Sequence, residues 1–207
     1  MFIASEHTRP GKVNVLLISS GSVASIKIPL IVEASLEDSR IDVQVVATKT
    51  SLTFYTPEEV LKASQGRVRV WTDDDEWGTW NKIGDPILHI ELRRWAHLVL
   101  VCPCSANMLA KISNGICDNL STSLLRALDP STTKTYLFPA MNTLMYTHPL
   151  TAKQLRIVKD EIGYEVHGPQ AGKALACGDI GPGAMTDWRE IVDIAINFVD
   201  TKIPRQG

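Results

Sequence analysis

A serine-rich turn is the first segment of this chain that could bind a small anion. Ser19–Ser25, with the sequence SSGSVAS, follows the apolar run VNVLLI and precedes a stretch of helical spacing. Backbone N–H groups and the dipole at the start of a helix favour an anion at such a strand-to-helix turn. The turn holds one glycine rather than the three of a dinucleotide fingerprint, so it suits a mononucleotide such as FMN better. A serine-capped turn without any ligand would have the same sequence.

Three more loops with small polar side chains follow predicted strands, at residues 48–54, 103–108 and 139–145. Ligands of open α/β sheets bind beyond the carboxyl ends of the strands, so these loops can converge with the serine-rich turn on one crevice. Their hydroxyls, amides and backbone donors suit a neutral tricyclic ring, although serine and asparagine are also common turn residues. The residues predicted to bind the cofactor are Gly21, Ser22, Val23, Thr50, Ser51, Phe54, Ser105, Ala106, Asn107, Met108 and Ala140.

Strands that alternate with helices are predicted to position these loops. The pattern indicates an α/β fold with one doubly wound, mostly parallel sheet, in a single domain over residues 1–207 with its core at about 13–199. Apolar, β-branched runs predict strands and helical spacing predicts helices. Predicted strands occupy residues 13–18, 41–48, 68–70, 97–103, 135–138 and 164–166; predicted helices occupy 23–36, 56–63, 87–96, 106–128 with a break near 114–115, 151–163 and 188–199.

Two segments fit neither the two-residue period of a strand nor the 3.6-residue period of a helix. WTDDDEWGTWNKIGDP, at residues 71–86, mixes tryptophans with acids and turn residues and is predicted to be an ordered surface loop. HGPQAGKALACGDIGPGAM is rich in glycine and contains two prolines. It predicts a long flexible loop, at about residues 168–186, that could fold over a bound substrate and exclude water.

Composition narrows the classes of function. The 21 Lys and Arg residues nearly balance 23 Asp and Glu, with a formal net charge of -2, so no positive field would attract nucleic acid or anionic lipid. The apolar runs are far shorter than the roughly 20 residues of a membrane span, and the first residues lack the pattern of a secretory signal. We therefore expect a soluble cytoplasmic protein, which could also enter the nucleus.

Four cysteines, Cys102, Cys104, Cys117 and Cys177, lie on different predicted elements. Their spacing indicates neither a zinc site nor a disulfide framework. The first three are interpreted as small core residues.

Several longer motifs identify a family. PAMNTLMYTHP and ACGDIGPGAM, with SSGSVAS and WNKIGDPILHIELRRWA, resemble the phosphopantothenoylcysteine decarboxylases of the flavin-containing cysteine decarboxylase family, above all their eukaryotic members. The similarity runs from about Val13 to Val199. The resemblance implies a Rossmann-like flavoprotein fold and bound FMN. It also implies decarboxylation of 4'-phosphopantothenoylcysteine to 4'-phosphopantetheine in coenzyme A biosynthesis.

The same resemblance implies the roles of five residues. His89 matches the active-site histidine, which can accept or orient a proton near neutral pH. Asn142 matches the residue that holds the substrate carboxylate, through an amide that adds no positive charge. Cys177 matches the proton donor that completes the product, because a thiol is protonated at neutral pH yet acidic enough to donate. Met145 and Lys173 are predicted to contact the substrate.

The family further implies a homotrimer whose active sites lie between subunits, with His89 of one chain facing Asn142 of the next. The aromatic segment WTDDDEWGTW is consistent with an interface. Of Arg93 and Arg94, one is expected near the flavin and the other in a surface ion pair.

Three other functions stay open. Fungal relatives of this fold act as regulatory, phosphatase-inhibitory subunits in salt tolerance, but the presence of His89, Asn142 and Cys177 and the lack of a long acidic tail favour the enzyme. A peptidyl-cysteine decarboxylase fits the ELRRWA and ACGD segments less well. A flavodoxin-like electron carrier would have no reason to carry PAMN together with ACGD.

Overall fold

The computed structural model describes residues 2–78, 80–170, 173–174 and 180–204, and at residues 173, 174 and 180 it describes the backbone alone. Cys177 and the side chain of Lys173 therefore lie outside the described part of the chain. No helix in this part is long and apolar enough to cross a membrane.

Six parallel strands form the central sheet, in the order β3-β2-β1-β4-β5-β6. Every residue of β1 and β4 is buried, because their apolar side chains are covered on both faces as parallel strands require. The order reverses direction between β1 and β4, which is where open α/β sheets place their ligands. The predicted doubly wound sheet is confirmed. The strands are β1 Val13–Ser19, β2 Ile41–Ala47, β3 Val70–Trp71, β4 Leu98–Cys104, β5 Lys134–Pro139 and β6 Glu165–Val166.

Helices cover both faces of the sheet. Alternate residues of β1 divide between two cores: Val15 and Leu17 pack in one, Leu16 and Ile18 in the other. Helices α2, α3 and α10 supply side chains to the first core, and α1, α5, α6 and α7 to the second. The helices are α1 Ala4–His7, α2 Ile28–Ser35, α3 Pro57–Ala63, α4 Asp73–Glu76, α5 Leu88–Trp95, α6 Ala106–Ser113, α7 Leu120–Ala127, α8 Thr143–Tyr146, α9 Pro149–Arg156 and α10 Trp188–Lys202.

Two helices differ from their predictions, one at its start and one in its middle. The helix expected at 23–36 begins with a 3₁₀ turn over Val23–Lys27, and α2 follows it. Pro29, in the first turn of α2, has no N–H, so it cannot donate the hydrogen bond that would extend the α-helix toward residue 23. The long helix expected at 106–128 is two helices. Gly115, at φ +68°, ends the first, and Asn119 starts the second by accepting a hydrogen bond from the Thr122 N–H at 2.9 Å.

The acidic segment predicted as an irregular loop contains a short helix, α4. Thr72 and Asp75 form its capping box, in which the Thr72 N–H donates to the Asp75 carboxylate at 2.9 Å. Trp71 at the end of β3 and Glu76 at the end of α4 are buried. The prediction of a surface loop was therefore wrong for these residues, since they pack into the molecule.

The glycine-rich segment predicted as a flexible loop contains regular structure in its described residues. Strands β7 (Lys173–Ala174) and β8 (Ile180–Gly181) form an antiparallel pair. Beyond that pair, the Gln170 N–H donates to the Ala184 carbonyl at 2.8 Å. The segment thus returns along itself and delivers residues 183–188 to the start of α10.

Candidate active site

A cavity of about 580 Å³ opens at the carboxyl ends of β1, β4 and β5, where the strand order reverses. Its volume falls in the range of about 300–1,000 Å³ that ligand pockets occupy. Residues after each of these strands line it, together with the segment 183–188. The predicted site residues that line it are Gly21, Ser22, Val23, Phe54, Ser105, Ala106, Asn107, Ala140, Asn142 and Met145.

Hydroxyl groups tie the loop after β1 to the loop after β2. The Ser19 hydroxyl lies 2.7 Å from the Tyr55 hydroxyl and 3.0 Å from that of Ser51. Burial raises the pKa of Tyr55 to about 12, so this phenol stays protonated. Ser51, which was predicted to contact a cofactor, is fully buried in this cluster and is not among the residues that line the cavity.

Gly21 lies where these two loops come closest. A β-carbon at this position would lie 2.6 Å from the Thr50 Oγ1 and 2.9 Å from the Thr50 Cβ, which is closer than real β-carbons approach. Only glycine fits without moving the loop after β2. Thr50 therefore borders the wall from behind Gly21 and does not line the cavity.

A second set of hydrogen bonds joins the loops after β1 and β4 across the switch point. The Ser20 hydroxyl donates to the Pro103 carbonyl at 2.8 Å and accepts from the Ser105 N–H at 2.8 Å. The Ser105 hydroxyl caps α6 by accepting from the Met108 N–H at 3.2 Å. The Met108 side chain is buried in the core, so this predicted cofactor contact does not reach the cavity.

The loop after β5 carries Asn142 and joins the segment 183–188. The Met141 N–H donates to the Gly183 carbonyl at 3.0 Å, and a β-carbon at Gly183 would lie 2.2 Å from the Met141 carbonyl oxygen. Asn142 caps α8, because its side-chain oxygen accepts from the Leu144 N–H at 2.8 Å. The cap fixes the Asn142 amide at the cavity wall, next to the half-exposed Met145.

His89 lies at the start of α5 and does not line the cavity of its own chain. Helix α5 runs back along the sheet before β4 begins, so its first turn lies at the same edge of the sheet as the cavity. The His89 Nδ1 lies 2.5 Å from Oε1 of the buried Glu76. The sequence did not predict this pair; the capping pattern Thr72-x-x-Asp75 was the signal that could have placed Glu76 on a helix.

The two arginines after His89 differ in their surroundings. Arg94 forms the surface ion pair that was expected of one of them, with Glu91 at 2.6 Å. The Arg93 Nε is buried and has no hydrogen-bond partner among the described residues.

Several residues that line the cavity were not predicted. Lys27 ends the 3₁₀ turn that follows Ser22. Its position about one helical turn after the serine-rich segment could have indicated that it lines the cavity. Met185, Asp187 and Trp188 come from the end of the glycine-rich segment, whose return along itself has no periodic signal. Met185 and Trp188 add apolar side chains to the cavity wall, and Asp187 adds a carboxylate.

The described cysteines stand apart from this chemistry. Burial raises the pKa of Cys104 to about 12 and that of Cys102 above its usual range, so both thiols stay protonated. Cys117 is exposed in the turn between α6 and α7, and its interpretation as a core residue was wrong.

The geometry agrees with one family of proteins. A family model described as Flavoprotein matches residues 3–200. This chain belongs to the Flavoprotein family. The match covers the sheet, the serine-rich turn and most of α10, so it includes every loop that lines the cavity.

Curated relatives fall into two groups by length. The chain is 48% identical to the phosphopantothenoylcysteine decarboxylase of Arabidopsis thaliana over 181 residues, which are 87% of this chain and 82% of that protein. It is 47% identical to Protein SIS2 of Candida tropicalis over 188 residues, 88% of this chain. The chain spans about a third of the length of SIS2, as the match covers 35% of that protein.

Solved structures share the whole fold. A cysteine-to-serine mutant of PPC decarboxylase, complexed with pantothenoylaminoethenethiol, matches with a TM-score of 0.83 and 44% identity over 90% of this chain and 98% of its own. The FMN binding protein AtHal3 matches with a TM-score of 0.81 and 43% identity over 92% of this chain and 98% of its own.

Proposed function

We propose that this chain binds FMN and decarboxylates 4'-phosphopantothenoylcysteine to 4'-phosphopantetheine. The observation that carries the proposal is the cavity at the switch point of the sheet, with Asn142 fixed at its wall. The 48% identity to a plant phosphopantothenoylcysteine decarboxylase over most of both chains supports the same substrate.

The cavity fits a flavin mononucleotide in size and chemistry. Val23, Phe54 and Trp188 offer apolar surface to a ring system, while Ser22 and Asn107 offer polar groups at its edges. Gly21 keeps the turn after β1 close to the loop after β2, and Lys27 adds a positive charge on the same side. FMN, when bound, supplies the oxidation and later re-reduction of the carbon–sulfur group of the substrate's cysteine.

Asn142 holds the substrate carboxylate in this proposal. Its side-chain oxygen caps α8, and in this proposal the amide nitrogen is the group that donates to the carboxylate. A neutral donor orients the carboxylate without stabilising its charge strongly, and this leaves more of the binding energy for the transition state. Met145 lies beside it and lines the substrate side of the cavity.

His89 reaches the substrate from a neighbouring subunit. Within its own chain it does not line the cavity, although it lies at the same edge of the sheet. Trp77, Trp80 and Ile83, which follow Glu76, are exposed large apolar side chains, with Ile83 at 95% exposure. Such a patch beside His89 supports a homotrimer with active sites between chains.

Cys177 and Lys173 complete the site from the glycine-rich segment. Cys177 donates the proton that completes the product, and Lys173 contacts the phosphate or a carboxylate of the substrate. Gly183, in the described end of this segment, accepts a hydrogen bond from the N–H of Met141, the neighbour of Asn142.

Mass spectrometry of product and cofactor tests the proposal. Purified protein should be yellow and should release CO₂ and 4'-phosphopantetheine from 4'-phosphopantothenoylcysteine. Cys177→Ser should still release CO₂ but accumulate the oxidised enethiol, because its hydroxyl is a much weaker acid than a thiol. Complete product formation by Cys177→Ser would refute the role of Cys177, and colourless protein without CO₂ release would refute the function.

A regulatory subunit is the second candidate, and the similarity to Protein SIS2 is the observation that favours it. This reading predicts a protein that binds a partner without turning over the substrate. The same incubation separates the two, because only the enzyme yields 4'-phosphopantetheine.

A further inference from the structure

Glu76 is a buried carboxylate that contacts one side chain of the proposed active site. Its side chain is 6% exposed, and its Oε1 lies 2.5 Å from the Nδ1 of His89. Thirteen residues separate the two along the chain, so the contact depends on the fold rather than on local spacing.

Burial of Glu76 has no evident benefit for stability. Its second oxygen, Oε2, is buried and has no hydrogen-bond partner among the described residues. A buried carboxylate oxygen without a partner costs free energy, so a side chain selected for stability would have both oxygens satisfied. The burial of Glu76 is better explained by the contact of its Oε1 with His89.

Helix α4 holds Glu76 in place from both sides. Its first turn is closed by the capping box of Thr72 and Asp75, and the Asp73 carboxylate accepts a hydrogen bond from the Leu120 N–H at 2.9 Å, which joins α4 to the start of α7. His89 is held by α5, which packs against α7. Both partners are therefore fixed against the same helix.

We propose that Glu76 is a positioning residue that fixes the tautomer and the ring orientation of His89. A carboxylate oxygen can only accept, so the His89 Nδ1 must donate and carry the proton. The other ring nitrogen, Nε2, is then left with its lone pair directed away from Glu76, where it can accept a proton from substrate. This inference rests on the proposed function of His89 and deepens it.

The tautomer can be measured without any turnover. Protein labelled with ¹⁵N-histidine, studied by long-range ¹⁵N–¹H correlation, should show His89 with a proton on Nδ1; the signals absent from His89→Asn assign it. Glu76→Gln should lose this preference, because a glutamine amide can donate to Nδ1 as well as accept from it. An unprotonated Nδ1 in the unmodified protein would overturn the inference, even if Glu76→Gln failed to fold.

Kinetics supply the second measurement, with Asp74→Asn as the matched control. Asp74 lies on the same helix, is exposed, and its substitution also removes one negative charge. Glu76→Gln should lower kcat by about 10- to 100-fold at unchanged FMN content, since it forfeits part of the roughly 10²–10⁴-fold contribution of a general base. Asp74→Asn should retain the unmodified rate.

The two hypotheses fail in different ways. Unmodified protein that releases no CO₂ overturns the proposed function. Unmodified protein that is active, with Glu76→Gln equally active, overturns the positioning role alone.

Discussion

Asn142 combines two roles at one position of the chain. Its side-chain oxygen starts α8 by accepting from the Leu144 N–H, and its side chain also lines the cavity. The cap restricts the amide to one orientation, so the residue that would hold a substrate anion is already directed by the local backbone.

Replacement of Asn142 by aspartate tests this role while keeping the helix. Aspartate caps helices as well as asparagine does, so α8 should persist and thermal stability should change little. The new charge would repel a substrate carboxylate by several kcal/mol at contact distance in a protein cavity, so kcat/KM should fall by at least about 100-fold. CO₂ release under initial-rate conditions measures this. Unchanged kcat/KM would contradict the assignment.

At the scale of elements, His97 joins the start of β4 to β1, because both its ring and its backbone form hydrogen bonds with Asn14. The His97 Nδ1 accepts a hydrogen bond from the Asn14 N–H at 3.1 Å, and the His97 N–H donates to the Asn14 carbonyl at 2.9 Å. His97 is exposed at its surface, but partial desolvation of its ring, with a smaller effect of Lys202, lowers its pKa below the usual value. Protonation would place a hydrogen on Nδ1 and break the first of these bonds.

Stability should therefore fall in mild acid. Because the pKa of His97 is lower in the folded state, the unfolded chain takes up its proton first as pH falls below about 6.5, and unfolding is favoured. The contribution is fully present above that pH. His97→Gln keeps an acceptor for the Asn14 N–H but does not titrate, so its melting temperature should fall less between neutral pH and pH about 5.5. Parallel melting curves for the two proteins would contradict this prediction.

The elements show how far sequence alone could go. The apolar runs of β1 and β4 predicted these strands and hence the edge where the loops meet. A strand buried on both faces has consecutive apolar residues, and this pattern can be recognised in the sequence. The helix predicted from residue 56 is also present, as α3, and a capping box at Thr56 starts it. Ser51 was expected in the cavity but is buried against Ser19, because its partner comes from another strand and no spacing in the sequence reports it.

The pair of Glu76 and His89 escaped prediction for a related reason. The segment between them is irregular, so no period placed the carboxylate beside the imidazole. The antiparallel pair β7–β8 was also missed, since two-residue strands within a glycine-rich segment carry no alternation. Both features pair short segments that lie near one another in the chain but have no periodic signal in the sequence.

At the scale of the whole molecule, the proposed active site is incomplete within one chain. The cavity has Asn142 at its wall but not His89, and exposed apolar side chains lie close to His89 in sequence. A closed ring of three identical chains would bury that patch and bring the imidazole of one subunit to the cavity of the next.

Mixing of two inactive variants tests this arrangement. His89→Asn and Asn142→Asp should each be nearly inactive alone, but co-refolded in equal amounts they should regain activity, up to about a quarter of the unmodified rate from random assembly into trimers. Each rebuilt site would take His89 from one variant and Asn142 from the other. A mixture that assembles into trimers, as light scattering would report, yet stays inactive would contradict sites between subunits.

The buried serines at the carboxyl ends of the strands form hydrogen bonds within the protein. Ser19 joins Tyr55 and Ser51, and Ser20 joins Pro103 and Ser105, so the loops after three strands are cross-braced within the chain itself. These loops are therefore ordered when the chain folds. Ligand binding does not have to supply the free energy of ordering them. We expect a site braced in this way to keep its shape whether or not a ligand is bound.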